Sequence, residues 1–155
     1  MINFGISSHN EFPGFNNLSA SFDIKNNRGF IDIASKNITI NQQDKLRTNL
    51  IFDSLNGLIK LDGDNYKFTN LLLNNNDLNL LTSGTVNLKN LNKPNLDLTI
   101  NVSIPDISKI KKYYPKNTDP DLLNWLDTSL LAGSIENSKI TIKGQLDKLF
   151  DKNTK

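Results

Sequence analysis

Apolar and polar side chains alternate along most of the chain, which is the pattern of β-strands that have one apolar face. The clearest run extends from Leu96 to Ile104, where every second residue is Leu, Ile or Val and those between are polar. A similar run from Ser19 to Lys25 is followed by Asn26-Asn27-Arg28-Gly29, a sequence that favours a turn. The same pattern predicts further strands at 30–34, 37–40, 48–52, 57–61, 66–73, 78–81, 82–89 and 138–146.

Short polar segments between these strands predict tight connections. Asp62-Gly63-Asp64-Asn65 contains the Asp-Gly pair that is typical of a hairpin turn, and Asn92-Lys93-Pro94-Asn95 predicts another turn. The eight to ten predicted strands leave little room for helical crossovers between them. The sequence therefore predicts a mainly β fold with a largely antiparallel sheet.

Two short helices are predicted near residues 106–114 and 120–132. The first places Ile107, Ile110 and Tyr114 on one side, and Pro115 ends it. In the second, Asp119 caps the free amides, Pro120 fits the first helical position, and Gly133 fits the exit. The apolar stripe of this second helix is narrow and its tryptophan is the only one, so the helix is expected to pack over the sheet or cap its edge.

The composition limits the class of protein. A chain of 155 residues is the size of one domain or of a piece of a longer protein, and its formal charge of +2 is too small to favour nucleic acid as a partner. No apolar run is long enough to span a bilayer, and Met1 to Gly5 lacks the basic start and apolar stretch of a signal peptide. The 25 asparagines are interpreted as a compositional bias.

Catalytic motifs are absent from the sequence. It contains no cysteine, and its one histidine, His9, lies in a polar stretch where a solvated loop residue is expected. The aspartates fall at turns or on polar strand faces, and Asp62 and Asp64 lack the later ligands of a calcium loop. A polysaccharide hydrolase is the weakest alternative. We therefore predict that the chain is not an enzyme and has no cofactor or metal site.

The main feature left to interpret is the continuous apolar face of the predicted sheet. This face can be covered, by folding of the sheet or by a second sheet, which gives a closed core. It can instead line an open trough that is available to a ligand. From alternation alone, the closed core is the more common outcome.

A resemblance to a known family favours the trough. Its motifs lie on both halves of the chain: Pro13-Gly14, Asn17-Leu18-Ser19, Leu55-Asn56-Gly57-Leu58-Ile59, Tyr114-Pro115, Trp125-Leu126, Gly133-Ser134-Ile135, Ile142-Lys143-Gly144-Gln145-Leu146 and Phe150. In order and spacing these resemble the AsmA-like, YhdP-type family of large bacterial envelope proteins over residues 12–150. The sequence departs from the family pattern at Ala20, between Tyr114 and Pro115, and at Asp151.

The resemblance implies that residues 1–155 are a single segment of a longer periplasmic domain, attached to the inner membrane through a segment outside this chain. It implies a curled sheet whose apolar groove carries phospholipid between the inner and outer membranes. The expected partners are phospholipid acyl chains, the rest of the same chain on both sides and other envelope proteins. The alternative is a closed β-sandwich that serves as an envelope scaffold or interaction module without lipid transport.

Thirteen apolar strand residues are the candidates for the lining of this groove. They are Phe22, Ile24, Ile31, Ile33, Ile59, Leu61, Val86, Leu88, Leu98, Ile100, Val102, Ile140 and Ile142.

Overall fold

The structure, a computed structural model, describes residues 1–8, 13–41, 45–91 and 93–146. Most of this part of the chain is β-strand, as the alternation predicts. The strands are β1 (Ile2–Ile6), β2 (Gly14–Lys25), β3 (Arg28–Asn41), β4 (Leu50–Asp62), β5 (Asn65–Asn74), β6 (Asn79–Asn87), β7 (Asn95–Ile104) and β8 (Ile135–Gln145). Two short helices, a 3₁₀ helix (Ile107–Tyr113) and α1 (Pro120–Ser129), separate β7 from β8.

All eight strands belong to one sheet in which each strand pairs with its neighbours in the sequence. Every pairing is antiparallel, so the predicted fold class is confirmed. β1 and β8 form the two edges of this sheet, and they do not pair with each other. The sheet is therefore open, and the alternative of a closed sandwich is wrong for the described residues.

The strands are longer and fewer than the alternation indicates. Predicted strands 30–34 and 37–40 are both part of β3, and 48–52 and 57–61 are both part of β4. Residues 78–81 and 82–89 likewise contribute to a single strand, β6, and β8 begins three residues earlier than predicted. β1 was not predicted, because its five residues are too few to show a clear period.

Left-handed asparagines explain why long strands look like two short ones. Asn17, Asn37, Asn70 and Asn137 lie inside β2, β3, β5 and β8 with φ between 48° and 60°. A residue in this conformation interrupts the pleat, and a bulge shifts which residues face the same side. In β3, for example, Ile33 and Ser35 are buried before Asn37, whereas Ile38 is buried after it.

The neighbouring strands hold these four positions with hydrogen bonds. The Asn17 side chain donates to the backbone oxygen of Asn37 at 3.0 Å. The backbone N–H groups of Asn70 and Asn137 donate to the hydroxyls of Ser83 and Ser103, each at 3.2 Å.

The asparagine content therefore has a structural component that composition alone did not reveal. All six non-glycine residues with positive φ in the described ranges are asparagines, and the other two form the turn between β2 and β3. Asparagine tolerates this conformation better than other residues with a side chain. Six of the 25 asparagines therefore have a backbone role in addition to the compositional bias.

Both helices lie where they were predicted, and only α1 ends earlier than expected. The Asp119 carboxylate accepts hydrogen bonds from the first amides of α1, and Pro120 occupies its first turn. Leu130 rather than Gly133 caps the other end. The first helix is a 3₁₀ helix capped by Asp106, and the hydrogen bonds from Ser108 hold the pKa of Asp106 below its ordinary value.

Candidate functional site

One face of the sheet, here called the inner face, is apolar from β2 to β8. Directly paired residues of adjacent antiparallel strands lie on the same face, so the register traces a row across the sheet. This row contains Phe22, Ile31, Ile59, Phe68, Gly84, Leu98 and Ile142. A parallel row runs through Ile24, Gly29, Leu61, Tyr66, Val86, Leu96 and Gly144.

The structure places twelve of the thirteen candidate lining residues on this inner face, judged by their register and by alternation along each strand. Leu88 is the exception, because it follows the last residue of β6. Its backbone N–H donates to the backbone oxygen of Asp64 at 2.8 Å, which ties the β6 end to the neighbouring hairpin turn.

The inner face is concave. Neighbouring strands lie about 4.8 Å apart, so β2 and β6 would be roughly 19 Å apart in a flat sheet. Phe15 of β2 and Leu80 of β6 nevertheless line the same cavity, of about 320 Å³. A second cavity of about 350 Å³ lies over β1 to β4, and every residue that lines it, including Phe4, Phe22 and Ile59, is apolar. We call this concave inner face, with its two cavities, the groove.

The connection between β7 and β8 closes one side of the groove. We call its first part, residues 107–116, the strap. Ile110 and Tyr113 of the strap pack against a buried cluster that consists of Phe52, Leu78, Val102 and Ile104. The ring of Tyr113 lies 6.2 Å from that of Phe52, centroid to centroid.

Polar contacts tie the strap to two loops at the same ends of the strands. The Lys116 N–H donates to the backbone oxygen of Lys45 at 2.8 Å, beside a β-bridge between Leu46 and Pro115. The hydroxyl of Tyr113 accepts a hydrogen bond from the Asn75 side chain at 2.8 Å. The strap thus runs from the end of β7 back to the loop between β3 and β4.

An ion pair between Lys112 and Asp77 adds to this attachment. The hydrogen bond to Asp77 raises the pKa of Lys112 above its ordinary value, so the lysine stays charged in the folded protein. Asp77 is one of two buried polar residues in the described part of the chain, and this lysine supplies its counter-charge.

The adjacent tyrosines of the strap make a matched pair for a stability test. The Tyr114 hydroxyl is buried and has no hydrogen-bond partner among the described residues, and burial raises its pKa. Tyr114→Phe should therefore leave stability unchanged or raise it by up to about 1 kcal/mol, whereas Tyr113→Phe should lower it by about 1 kcal/mol. Urea denaturation followed by circular dichroism measures both, and equal losses in the two variants would contradict the assigned contacts.

Helix α1 does not pack as the sequence predicts. None of its residues is buried, and the Trp125 side chain is 59% exposed. Its closest charged contact is with the strap, where Lys111 Nζ lies 3.1 Å from Asp127 Oδ1. The expectation that this helix covers the sheet or caps its edge is therefore wrong.

The described ranges contain few other features that would indicate a functional site. They contain no group of three or more potential metal-ligating side chains, and His9 lies outside them. Ion pairs such as Arg28 with Asp62 and Lys143 with Asp97 lie on the solvated surface. No helix among the described residues has both the length and the apolar character that a membrane span requires.

Comparison with known proteins gives a family match. The family described as "YhdP protein" matches the chain over residues 1–155. No curated protein and no solved structure matches it.

Proposed function

The chain belongs to the YhdP family, and on this premise we propose that the groove binds phospholipid acyl chains and carries them across this segment. The observation that carries the proposal is an open concave face with apolar side chains across neighbouring strands. An acyl chain needs no directional partner, and its burial contributes roughly 0.8 kcal/mol for each methylene removed from water. The proposal includes no catalytic step.

The proposed setting is a longer envelope protein. In this proposal residues 1–155 form one segment of a periplasmic bridge that is attached to the inner membrane through a segment outside this chain. β1 and β8 support the idea, because an edge strand presents backbone N–H and C=O groups to which further strands can add. The rest of the same chain would then continue the sheet on both sides, and other envelope proteins are further partners.

A matched pair of phenylalanines tests the lipid proposal. Phe22 lies on the inner face and is 48% exposed, whereas Phe30 lies on the outer face and is 43% exposed. Both positions can accept an aspartate without burying its charge. Phe22→Asp places that charge in the groove and should lower bound lipid at least tenfold, whereas Phe30→Asp should leave it unchanged.

The measurement is native mass spectrometry of the chain purified from a bacterial host, with extraction and identification of the lipid that copurifies. Circular dichroism establishes that both variants keep the sheet. Unmodified protein without lipid would favour the scaffold module. An equal loss in the two variants would show that lipid does not bind on the inner face.

A further inference from the structure

The outer face of the sheet, opposite to the groove, carries a cavity of its own. It measures about 510 Å³ and extends over β5 to β8. We call it the hollow, and its size is usual for a site that binds a small molecule. Three amide side chains, one hydroxyl and two leucines line it, namely Asn79, Asn101, Asn137, Ser103, Leu72 and Leu81. The lining contains no charged side chain.

The strand register places these residues in two adjacent rows. Leu72, Leu81 and Asn101 are directly paired across β5, β6 and β7. Asn79 is directly paired with Ser103 in the next row. Both rows alternate along their strands with residues of the inner face, so these side chains point away from the groove.

Two bulges flank the hollow. A curled sheet is convex on its outer side, so a hollow there requires a local change in the backbone. The register between β5 and β6 shifts after Phe68, at the left-handed Asn70. The register between β7 and β8 shifts after Val102, beside the left-handed Asn137. Bulges bend a strand and redirect its side chains, which accounts for a hollow at this place.

The amides of the hollow have unused hydrogen-bonding groups. Within the described part of the chain, the side chains of Asn79 and Asn101 make no hydrogen bond. The Asn137 side chain accepts one from the Ser103 hydroxyl at 3.5 Å, and its NH2 group donates none there. Because a primary amide offers two donors and one acceptor oxygen, the hollow presents both kinds of group to a ligand.

A second row of amides on the same four strands provides the contrast. Asn65, Asn87, Asn95 and Gln145 are directly paired across β5 to β8 and share the outer face with the hollow. The Asn87 side chain donates to Asn65 Oδ1 at 2.7 Å and accepts from the N–H of Lys89 at 3.1 Å. This row therefore uses amides to bind one another and a loop, whereas the amides of the hollow face outwards unused.

We propose that the hollow binds a neutral sugar unit of a glycan. A sugar ring has hydroxyls that donate and accept around its rim and C–H groups on its faces. Asn79 and Asn101 match the hydroxyls, and the leucine pair, Leu72 and Leu81, matches the C–H groups. A charged ligand would lose hydration in a lining that supplies no counter-charge, since Lys139, which is paired with Asn101, lies outside that lining.

NMR titration of the 15N-labelled chain with N,N′-diacetylchitobiose, a neutral disaccharide, tests the proposal. The side-chain NH2 signals of Asn79 and Asn101 should shift, and those of Asn87 and Asn95 should not. The dissociation constant should lie in the millimolar range, because the hollow is open to solvent and leaves part of the ligand hydrated.

Two asparagines of β7 supply matched variants, because Asn101 and Asn95 are both exposed on the outer face. Asn101→Ala combined with Asn79→Ala removes two amides and should weaken binding by about fivefold or more. Asn95→Ala should leave the affinity unchanged. Circular dichroism establishes that the variants keep the sheet.

Each other outcome overturns the proposal. The absence of shifts at the hollow, or an equal loss of affinity in Asn95→Ala, would show that these amides do not bind sugar. Larger shifts with inorganic phosphate would indicate an anion site, and larger shifts with a neutral N-acetyl dipeptide amide would indicate a peptide site. Since the hollow and the groove lie on opposite faces, none of these results would alter the function proposed for the groove.

Discussion

Gly84→Ala is expected to lower the free energy of unfolding by about 2–6 kcal/mol. Gly84 lies in the middle of β6 with φ of 138°, and a Cβ there would be 2.1 Å from the Asp97 backbone oxygen and 2.8 Å from the Leu98 Cα. A strained backbone costs about 1–3 kcal/mol and overpacking about as much again. The clash is with backbone of the paired strand, so a side-chain rotation cannot relieve it.

Gly63→Ala is the control, because a Cβ at Gly63 would have no heavy atom within 4 Å. Its φ of 60° lies in the left-handed region of a turn, so the expected loss is about 1 kcal/mol. Urea denaturation gives both values. Similar losses of stability in the two variants would mean that the close approach of β6 and β7 does not exclude a side chain at position 84.

Phe52→Ala has the second large expected effect. It should lower the free energy of unfolding by about 3–5 kcal/mol. Phe52 is 2% exposed and belongs to the cluster with Leu78, Val102 and Ile104 on which the strap packs. Removing its ring leaves a cavity beneath Tyr113, so the variant loses contacts of the sheet and of the strap together.

The neighbouring residue supplies the comparison for Phe52. Ile51 lies on the outer face and is 64% exposed, so Ile51→Ala should change stability by no more than about 0.5 kcal/mol. The midpoints of urea denaturation, measured for the two variants under the same conditions, compare their stabilities. A Phe52→Ala loss below about 1 kcal/mol would show that the strap does not depend on this cluster.

The sheet was predictable because each strand carries its own signal. Alternation in Leu96 to Ile104 and the Asp62-Gly63 turn depend only on residues close in sequence, and both match the structure. The cap of α1 by Asp119 is local for the same reason. Alternation also assigned a common face to residues far apart in the chain, because one apolar face must be shared by all strands of a sheet.

The missed features depend on contacts between distant segments. A left-handed residue such as Asn37 breaks the period of two, so a continuous strand is indistinguishable from two strands in the sequence. No local sequence pattern predicts the strap. Its position depends on the hydrogen bonds between Tyr113 and Asn75 and between Lys116 and Lys45, which are far apart in the sequence. The curvature of the groove is likewise a property of the whole sheet.

The order of the strands has a consequence for how the chain folds. Strands that are neighbours in the sequence are neighbours in the sheet. Each strand after β1 therefore pairs with a strand that has already been synthesised. Contacts between sequence neighbours require short loop closures, and folds built from them form quickly for their size. A polypeptide that emerges from its amino-terminal end can therefore add one strand at a time to a growing sheet, so that assembly keeps pace with synthesis.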